Sequence, residues 1–464
     1  MIHCIILAMK RFNPSELAGK RALVIGAGKS GVACANLLSA KGFKVLLTEE
    51  KPAGAVKERI KGLKRAVKAE TGGHTPEVFS CGFAVKSPGM SHSNPLIVSL
   101  KKKKIPLFSE VEIALAFSAG RLLAVTGTNG KTTTTILLGE LMNEALRRRG
   151  RCALVCGNVG IPAALAAPKA RKGDCVVMEL SSYQLEDSAY LKPSAACLLN
   201  ITPDHLNHHG SMAAYIKAKE KVFKFQDSED CCVFNYEDPL CRRLAKDCPS
   251  RTLFFSSRRS GRMDAWTAGG KLFFKTDKAA FSVQPPDLPG AHNLENAMCA
   301  GLMALESGAV PADLKKVYAA FKGVEHRIEP SGSVRGIKFV NDSKGTNVDS
   351  TVVALKALGG GRNIWLILGG QDKGNPYAPL MPLIRKNVKG VLTIGAAAPR
   401  IERELAGATP IITALTMENA CREILELGVP GDIALFSPAC ASFDQFKDFE
   451  DRGRKFKAFV KKLK

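Results

Sequence analysis

Residues 122–142 leave this chain few ways to fold. The apolar run Leu122–Val125 leads into Gly127-Thr128-Asn129-Gly130-Lys131-Thr132, and the helix-like stretch Thr133–Met142 follows. That order predicts a strand, a phosphate-cradling loop and a helix start. Loop amides and the positive helix end can hold nucleotide phosphates, Lys131 can neutralise β/γ oxygens, and the Thr132 hydroxyl can ligate Mg²⁺. Val125 stands where G-x-x-x-x-G-K-[ST] has its first glycine, so only the second half of that motif is satisfied. An ordinary strand-to-helix turn is the plainer alternative.

A related unit lies upstream. Arg21–Gly26 reads as an apolar strand, Gly26-Ala27-Gly28-Lys29-Ser30-Gly31 as a glycine turn, Val32–Lys41 as an amphipathic helix and Phe43–Thr48 as a second strand. A β-α-β unit with G-x-G-x-x-G at its first turn suits a nucleotide, although a tight turn packing helix on strand uses glycines the same way. Glu49 ends the second strand, about where an acid would meet a ribose hydroxyl, with Thr48 as the neighbouring candidate. A further strand ending in Val85-Lys86-Ser87-Pro88-Gly89 sets a small polar loop at a strand C-terminus, where open α/β sheets bind ligands. Downstream, Val176–Glu179 and Ala196–Asn200 are strands with polar tips, and Phe273–Val283 is a small antiparallel excursion. At 464 residues the chain exceeds what one core serves. The expectation is an α/β protein of three domains: 1–118, Rossmann-like; 119–324, P-loop ATPase-like with a parallel sheet; and 325–464, Rossmann-like again.

Lys and Arg outnumber Asp and Glu by 67 to 43, giving a formal charge of +24. Basic surfaces bind nucleic acid by releasing counterions. The runs Lys101–Lys104, Arg147–Arg149 and Lys461–Lys464, however, have no interleaved aromatics on which bases could stack. No nucleic-acid partner is expected, and the field would instead steer an anionic substrate. Fourteen cysteines without a C-x-x-C pair read as free cytosolic thiols. Met1–Met9 is too short to span a bilayer and lacks the basic start and cleavage site of a signal peptide, so no membrane partner is expected; Met9 could serve as the start.

Nine motifs in order resemble the Mur ligases, the ATP-dependent amide-forming enzymes of peptidoglycan precursor synthesis. They are GTNGKTT (127–133), GNVGIP (157–162), ELSSYQLE (179–186), NITPDHLNHHG (200–210), YIKAK (215–219), GAHNLENA (290–297), EHR (325–327), NDSKGTN (341–347) and LGGQDKG (368–374). The ending SPACASFDQFKDFEDRGRKF (437–456) and the GAGKSG turn resemble the branch of that family that adds D-glutamate to UDP-N-acetylmuramoyl-L-alanine. The resemblance implies a carboxylate activated by ATP as an acyl phosphate and then attacked by the D-glutamate amine, in a cytoplasmic monomer. A sibling ligase with another amino acid, a folylpolyglutamate synthase and a basic P-loop nucleic-acid motor are the alternatives. The folate family lacks the glycine-turn domain, and helicase motifs are absent from the sequence.

Carried over position by position, the resemblance assigns Gly127, Thr128, Asn129, Gly130, Lys131, Thr132 and Thr133 to ATP. Asn293 and Asn296 match adenine contacts, and Arg327 and Asp342 match γ-phosphate and ribose contacts. One Mg²⁺ falls to Thr132 and Glu179, and a second metal to His205 and a carbamylated Lys219; Lys131, Glu179, His205 and Lys219 form the catalytic set. Gly28, Ser30, Glu49, Ser87 and Asn158 match the UDP-sugar positions. Lys344, Thr346, Lys373, Ser442 and Phe449 match the D-glutamate positions. Ser442 and Phe449, seven residues apart, would face one pocket from one helical element, with Phe443 and Phe446 in the core.

Overall fold

The computed structural model describes residues 13–158, 160–258, 263–276, 280–372, 374, 376–463; Met9 and Lys373 lie outside the described residues. Three sheets account for the architecture. The first holds β1 (Arg21–Ile25), β2 (Lys44–Glu49), β3 (Lys68–Thr71), β4 (Phe83–Lys86) and β5 (Leu107–Ser109), all parallel, in the order β3-β2-β1-β4-β5. Strands of a parallel sheet are covered on both faces and read as unbroken apolar runs. Ala22, Leu23, Val24 and Ile25 of β1 are accordingly all buried.

The second sheet is built from β6 (Arg121–Thr126), β7 (Ala153–Gly157), β8 (Cys175–Glu179), β9 (Ala195–Leu198), β10 (Cys231–Asn235), β11 (Arg251–Ser256), β12 (Ala265–Ala268), β13 (Lys271–Lys275) and β14 (Ala280–Val283). Its order is β14-β13-β12-β11-β10-β9-β6-β8-β7. The pairs from β7 to β12 are parallel, whereas β12, β13 and β14 form an antiparallel edge that begins earlier than the sequence suggested. The third sheet contains β15 (Glu329–Val334), β16 (Ile337–Asn341), β17 (Ile364–Gly369), β18 (Val388–Ile394), β19 (Ile411–Leu415) and β20 (Ile433–Phe436), in the order β15-β16-β20-β17-β18-β19. Only β15 pairs antiparallel there.

The chain divides into two compact units: residues 1–286 with 294–321, and residues 287–293 with 322–464. The first two sheets therefore share a unit. One apolar core runs from Leu17 in the first segment to Ala245 in the second. The helix Glu110–Ala116 carries the chain across, and Glu110 Oε1 accepts a 2.6 Å hydrogen bond from the Ala164 amide. Separate apolar clusters, one including Leu366 and Ile384 and the other Ile367 and Phe456, surround the third sheet. Among the described residues, no helix is long and apolar enough to cross a membrane.

Two expectations are corrected. Phe443 is 68% exposed rather than core, while Phe446 is half-buried against the second cluster of the third sheet. Ser442 and Phe449 do not share a helix: Ser442 lies in a turn, and the helix Phe449–Lys462 begins only after Asp448 caps it by accepting from the Asp451 amide. Asp is a strong helix starter, so a capped restart overrides the spacing.

Candidate active site

β6 delivers the chain into the loop at Gly127, and Gly130, with φ +83°, turns it into the helix Lys131–Arg147. Glycine is required at 130 on two counts. The left-handed backbone favours it, and an added Cβ would lie 2.3 Å from Asn296 Oδ1. Asn296 is buried and accepts from Thr134 Oγ1, so this predicted adenine residue packs against the loop's own helix. The Asn129 amide donates to Asn200 Oδ1, and Thr128 Oγ1 lies 3.0 Å from Tyr215 Oη. Thr132 and Thr133 are buried in the first helical turn, and Lys131 Nζ donates to the Thr128 carbonyl at 2.6 Å.

Two of the predicted catalytic residues, Lys219 and Glu179, stand beside this loop and the strand that leads into it. Lys219, on the helix Met212–Glu220, is 1% exposed; its Nζ donates to the Gly127 carbonyl at 2.7 Å and lies over the Tyr215 ring. Burial, reinforced by the Lys131 charge, holds its pKa well below the usual lysine range. Glu179 ends β8, opposite Val125 of β6, and is buried. Its Oε1 accepts from Asn158 Nδ2 at 2.8 Å, while its Oε2 is buried without a hydrogen-bond partner. His205 adopts a left-handed backbone, φ +54°, before the short helix Leu206–His209, and its Nδ1 lies 3.1 Å from Tyr183 Oη.

A buried carboxylate oxygen lacking a donor is costly unless a cation satisfies it. With the Thr132 hydroxyl at the neighbouring helix start, the donor set is hard oxygen, which suits Mg²⁺. Asn158, matched to the UDP-sugar set, stands beside this carboxylate.

The other four sugar positions converge at the tips of the first sheet. The Ala27 amide donates to Glu49 Oε2 at 2.7 Å, and Ser87 Oγ lies 3.4 Å from the Gly26 carbonyl. Gly28 caps the helix Lys29–Ala40, which starts three residues earlier than expected and puts Ser30 in its first turn. A Cβ at Gly31 would fall 2.0 Å from the Gly26 carbonyl oxygen, so the third glycine sets how closely helix and strand approach. Thr48 is fully buried, its hydroxyl engaged with Glu70 and His74, which leaves Glu49 at the turn.

In the second compact unit, Asn293 Nδ2 donates to the Pro289 carbonyl. Asp342 is buried, with Oδ1 accepting from the Ile328 amide and Oδ2 from Ser437 Oγ at 2.6 Å. Burial raises its pKa to about 6 against the opposing pull of nearby Arg327. Lys344 Nζ lies 5.4 Å from the centre of the Phe449 ring. Ser442 is buried beside the Gln371–Ala441 bridge, and the Thr346 amide bonds the Lys344 carbonyl. Lys344, Thr346, Ser442 and Phe449 thus sit on segments that follow the adjacent strands β16 and β20, at their C-terminal ends.

Two organisers escaped sequence reasoning. Arg452 is fully buried on the helix Phe449–Lys462 and donates to Ser343 Oγ, Ser343 O, Cys440 O and Ala441 O, tying together the two loops that carry the amino-acid positions. Lys86, the last residue of β4 before Ser87-Pro88-Gly89, forms a buried 2.8 Å ion pair with Asp187 and so fastens the first sheet to the segment after β8. A lysine ending an apolar strand was the one available signal for Lys86.

Comparison with known proteins gives a concordant set. Residues 20–109 match the Mur ligase MurD-like N-terminal domain, 125–304 the Mur ligase middle domain, and 326–440 the Mur ligase glutamate ligase domain. UDP-N-acetylmuramoylalanine–D-glutamate ligase of Elusimicrobium minutum is 45% identical, covering 97% of this chain and 100% of that protein. The enzyme of the same name from Koribacter versatilis is 40% identical over 97% of this chain and 98% of its own. Among solved structures, UDP-N-acetylmuramate-alanine ligase MurC of Thermotoga maritima superposes with a TM-score of 0.61 at 20% identity, covering 96% of this chain and 100% of that one. MurF ligase of the same organism, in complex with ADP, gives 0.59 at 17% identity over 96% and 99%.

Proposed function

The chain belongs to the Mur ligase family, and from that premise we propose that it joins D-glutamate to UDP-N-acetylmuramoyl-L-alanine, driven by ATP, as a cytoplasmic monomer. The observation that carries the ATP-driven step is the gathering of Lys131, buried Lys219 and half-satisfied Glu179 around one phosphate loop. The choice of acceptor rests on the full-length relatives named for D-glutamate. Residues 1–118 take the nucleotide sugar, 119–324 the ATP and 325–464 the amino acid.

A carboxylate is a poor electrophile because oxide would have to leave. Its oxygen therefore attacks the γ-phosphorus, ADP departs, and the acyl phosphate has a competent leaving group. The D-glutamate amine adds to the acyl carbon, and the tetrahedral adduct collapses by expelling phosphate while the nitrogen loses a proton. Lys131 and the loop amides neutralise the transferring oxygens, worth on the order of 10²–10³-fold per donor. Thr132 and Glu179 would hold Mg²⁺, which when bound lowers the repulsion between anions. Lys219, its ammonium disfavoured by burial and by Lys131, is the amine that would add CO₂ and lose a proton; as a carbamate it would join His205 as a ligand. Lys344 and Lys373 pair with the two D-glutamate carboxylates, and Phe449 packs beside them.

The test is phosphate release from ATP, Mg²⁺ and UDP-N-acetylmuramoyl-L-alanine with D-glutamate, L-glutamate, other amino acids or no amine. Release with D-glutamate alone supports the assignment. Release with a different amine moves the chain to a sibling activity, and no release with any amine sinks the reading.

A further inference from the structure

Beside the catalytic loop lies a group of side chains that the proposed reaction does not use. Glu186 ends the helix Ser182–Glu186, and His208 and His209 come from the helix Leu206–His209. One ligand atom from each lies within 4.8 Å of the others. His208 Nε2 is 2.8 Å from Glu186 Oε2, and His209 Nδ1 is 3.8 Å from Glu186 Oε1. Tetrahedral zinc with bonds of about 2.0–2.1 Å spaces its ligand atoms by roughly 3.3 Å, between those two values.

A second observation singles this cluster out from an ordinary ion pair. The His209 side chain is completely buried, and its Nδ1 has no hydrogen-bond partner although it faces the carboxylate. Its other nitrogen, Nε2, lies 2.9 Å from Ser182 Oγ. When Nε2–H donates to that hydroxyl, the Nδ1 lone pair points at an anion. With the His209 ring fully buried, this is an unfavourable juxtaposition unless a cation stands between them. One imidazole nitrogen facing the ligand position and the other fixed by a hydroxyl is the arrangement of a metal-bound histidine and its supporting partner.

We propose that Glu186, His208 and His209 bind a zinc-class divalent ion, separate from the Mg²⁺ positions at Thr132, Glu179, His205 and Lys219. The chemistry differs from that of the Mg²⁺ position at Thr132 and Glu179: two imidazoles select Zn²⁺ over Mg²⁺, whereas the hydroxyl and carboxylate oxygens there do the reverse. The ion would have a mechanical role. The Tyr183 ring lies 4.4 Å from the His208 ring and 4.9 Å from the His205 ring, so clamping the four-residue helix Leu206–His209 onto Glu186 fixes the aromatic neighbour of a catalytic histidine. On the far side, Glu186 also faces His92 at 3.8 Å, and His92 is 3.0 Å from Asp187, which connects the clamp to the loop after β4.

The experiment is titration of the full-length protein with Zn²⁺, and with Co²⁺ as a visible-absorbing substitute, in excess Mg²⁺. The expected result is one Zn²⁺ per chain at micromolar Kd or tighter, tetrahedral Co²⁺ absorption, and a Zn²⁺-dependent rise in Tm. His208→Arg supplies a cationic hydrogen-bond partner for Glu186 but removes a ligand. It should weaken Zn²⁺ at least 100-fold and abolish the Tm rise while leaving the metal-free Tm in place. Glu186→Gln is the second probe should that variant fail to fold, and Ser182→Ala should weaken binding by about 10-fold. His205→Ala should bind Zn²⁺ like the wild type. No stoichiometric Zn²⁺, binding unchanged in both His208→Arg and Glu186→Gln, or loss of binding only in His205→Ala would each overturn the proposal.

Discussion

Glu179 separates stability from function at a single atom. Its Oε2 is buried without a donor, so in the metal-free protein that oxygen is an unsatisfied polar group that the fold carries. Glu179→Gln should therefore leave the metal-free Tm unchanged or raise it, yet slow ligation on the order of 10³-fold, because several kcal/mol of transition-state stabilisation depend on the metal it would hold. Paired thermal melts and turnover measurements check both halves; a fall in Tm together with retained activity would mean that the carboxylate serves packing alone. Its place was legible in the sequence, because an apolar run ending in an acid reads as a strand with a polar tip. Lys86 and Asp187 were not legible: their ion pair joins segments far apart in the chain, and nothing local to either signals the other.

At the scale of elements, the helix Phe449–Lys462 illustrates both the reach and the limit of spacing. Its existence follows from Asp448 and the apolar positions, but the turn before it broke the register from Ser442 to Phe449. Periodicity informs only within one continuous element. The helix instead acts through Arg452, whose planar fork serves carbonyls on two loops. Arg452→Lys cannot reproduce that fork. It should lower stability by about 3 kcal/mol and raise the KM for the amino acid more than it changes kcat, as read from denaturant melts and steady-state kinetics. The helix Glu110–Ala116 supplies a pH test. Burial raises the Glu110 pKa from 4.5 to about 7, with the Ala164 amide opposing the shift. The folded state thus holds a proton that the unfolded chain releases, and this stabilisation, full below about pH 4.5, is lost as pH rises through about 7. Tm should fall over that window, and Glu110→Gln, which still accepts from Ala164, should flatten part of the slope, with the similarly raised Glu112 responsible for the remainder.

For the whole molecule, a charge of +24 would favour the approach of anions, and nucleotide sugar, ATP and glutamate are all anions. Long-range attraction of that kind acts on encounter, not on chemistry. Raising ionic strength from about 0.05 to about 0.5 M should cut kcat/KM for the nucleotide sugar several-fold while leaving kcat in place, since the Debye length shrinks from roughly 14 to 4 Å. Equal kcat/KM at both salts would mean that the surface field plays no part in capture. Three sheets were foreseeable from three alternating stretches of strand and helix. Their grouping was not, because apolar patterning reveals that a face is covered without revealing what covers it. The unbroken core from Leu17 to Ala245 settles how this protein can be taken apart and recombined. A chimera that exchanges residues 1–118 with those of a distant relative cuts through a shared interior and needs compensating changes around Glu110 and Ala164. An exchange of residues 322–464 leaves that interior whole but must carry 287–293 with it, since those residues belong to the same compact unit.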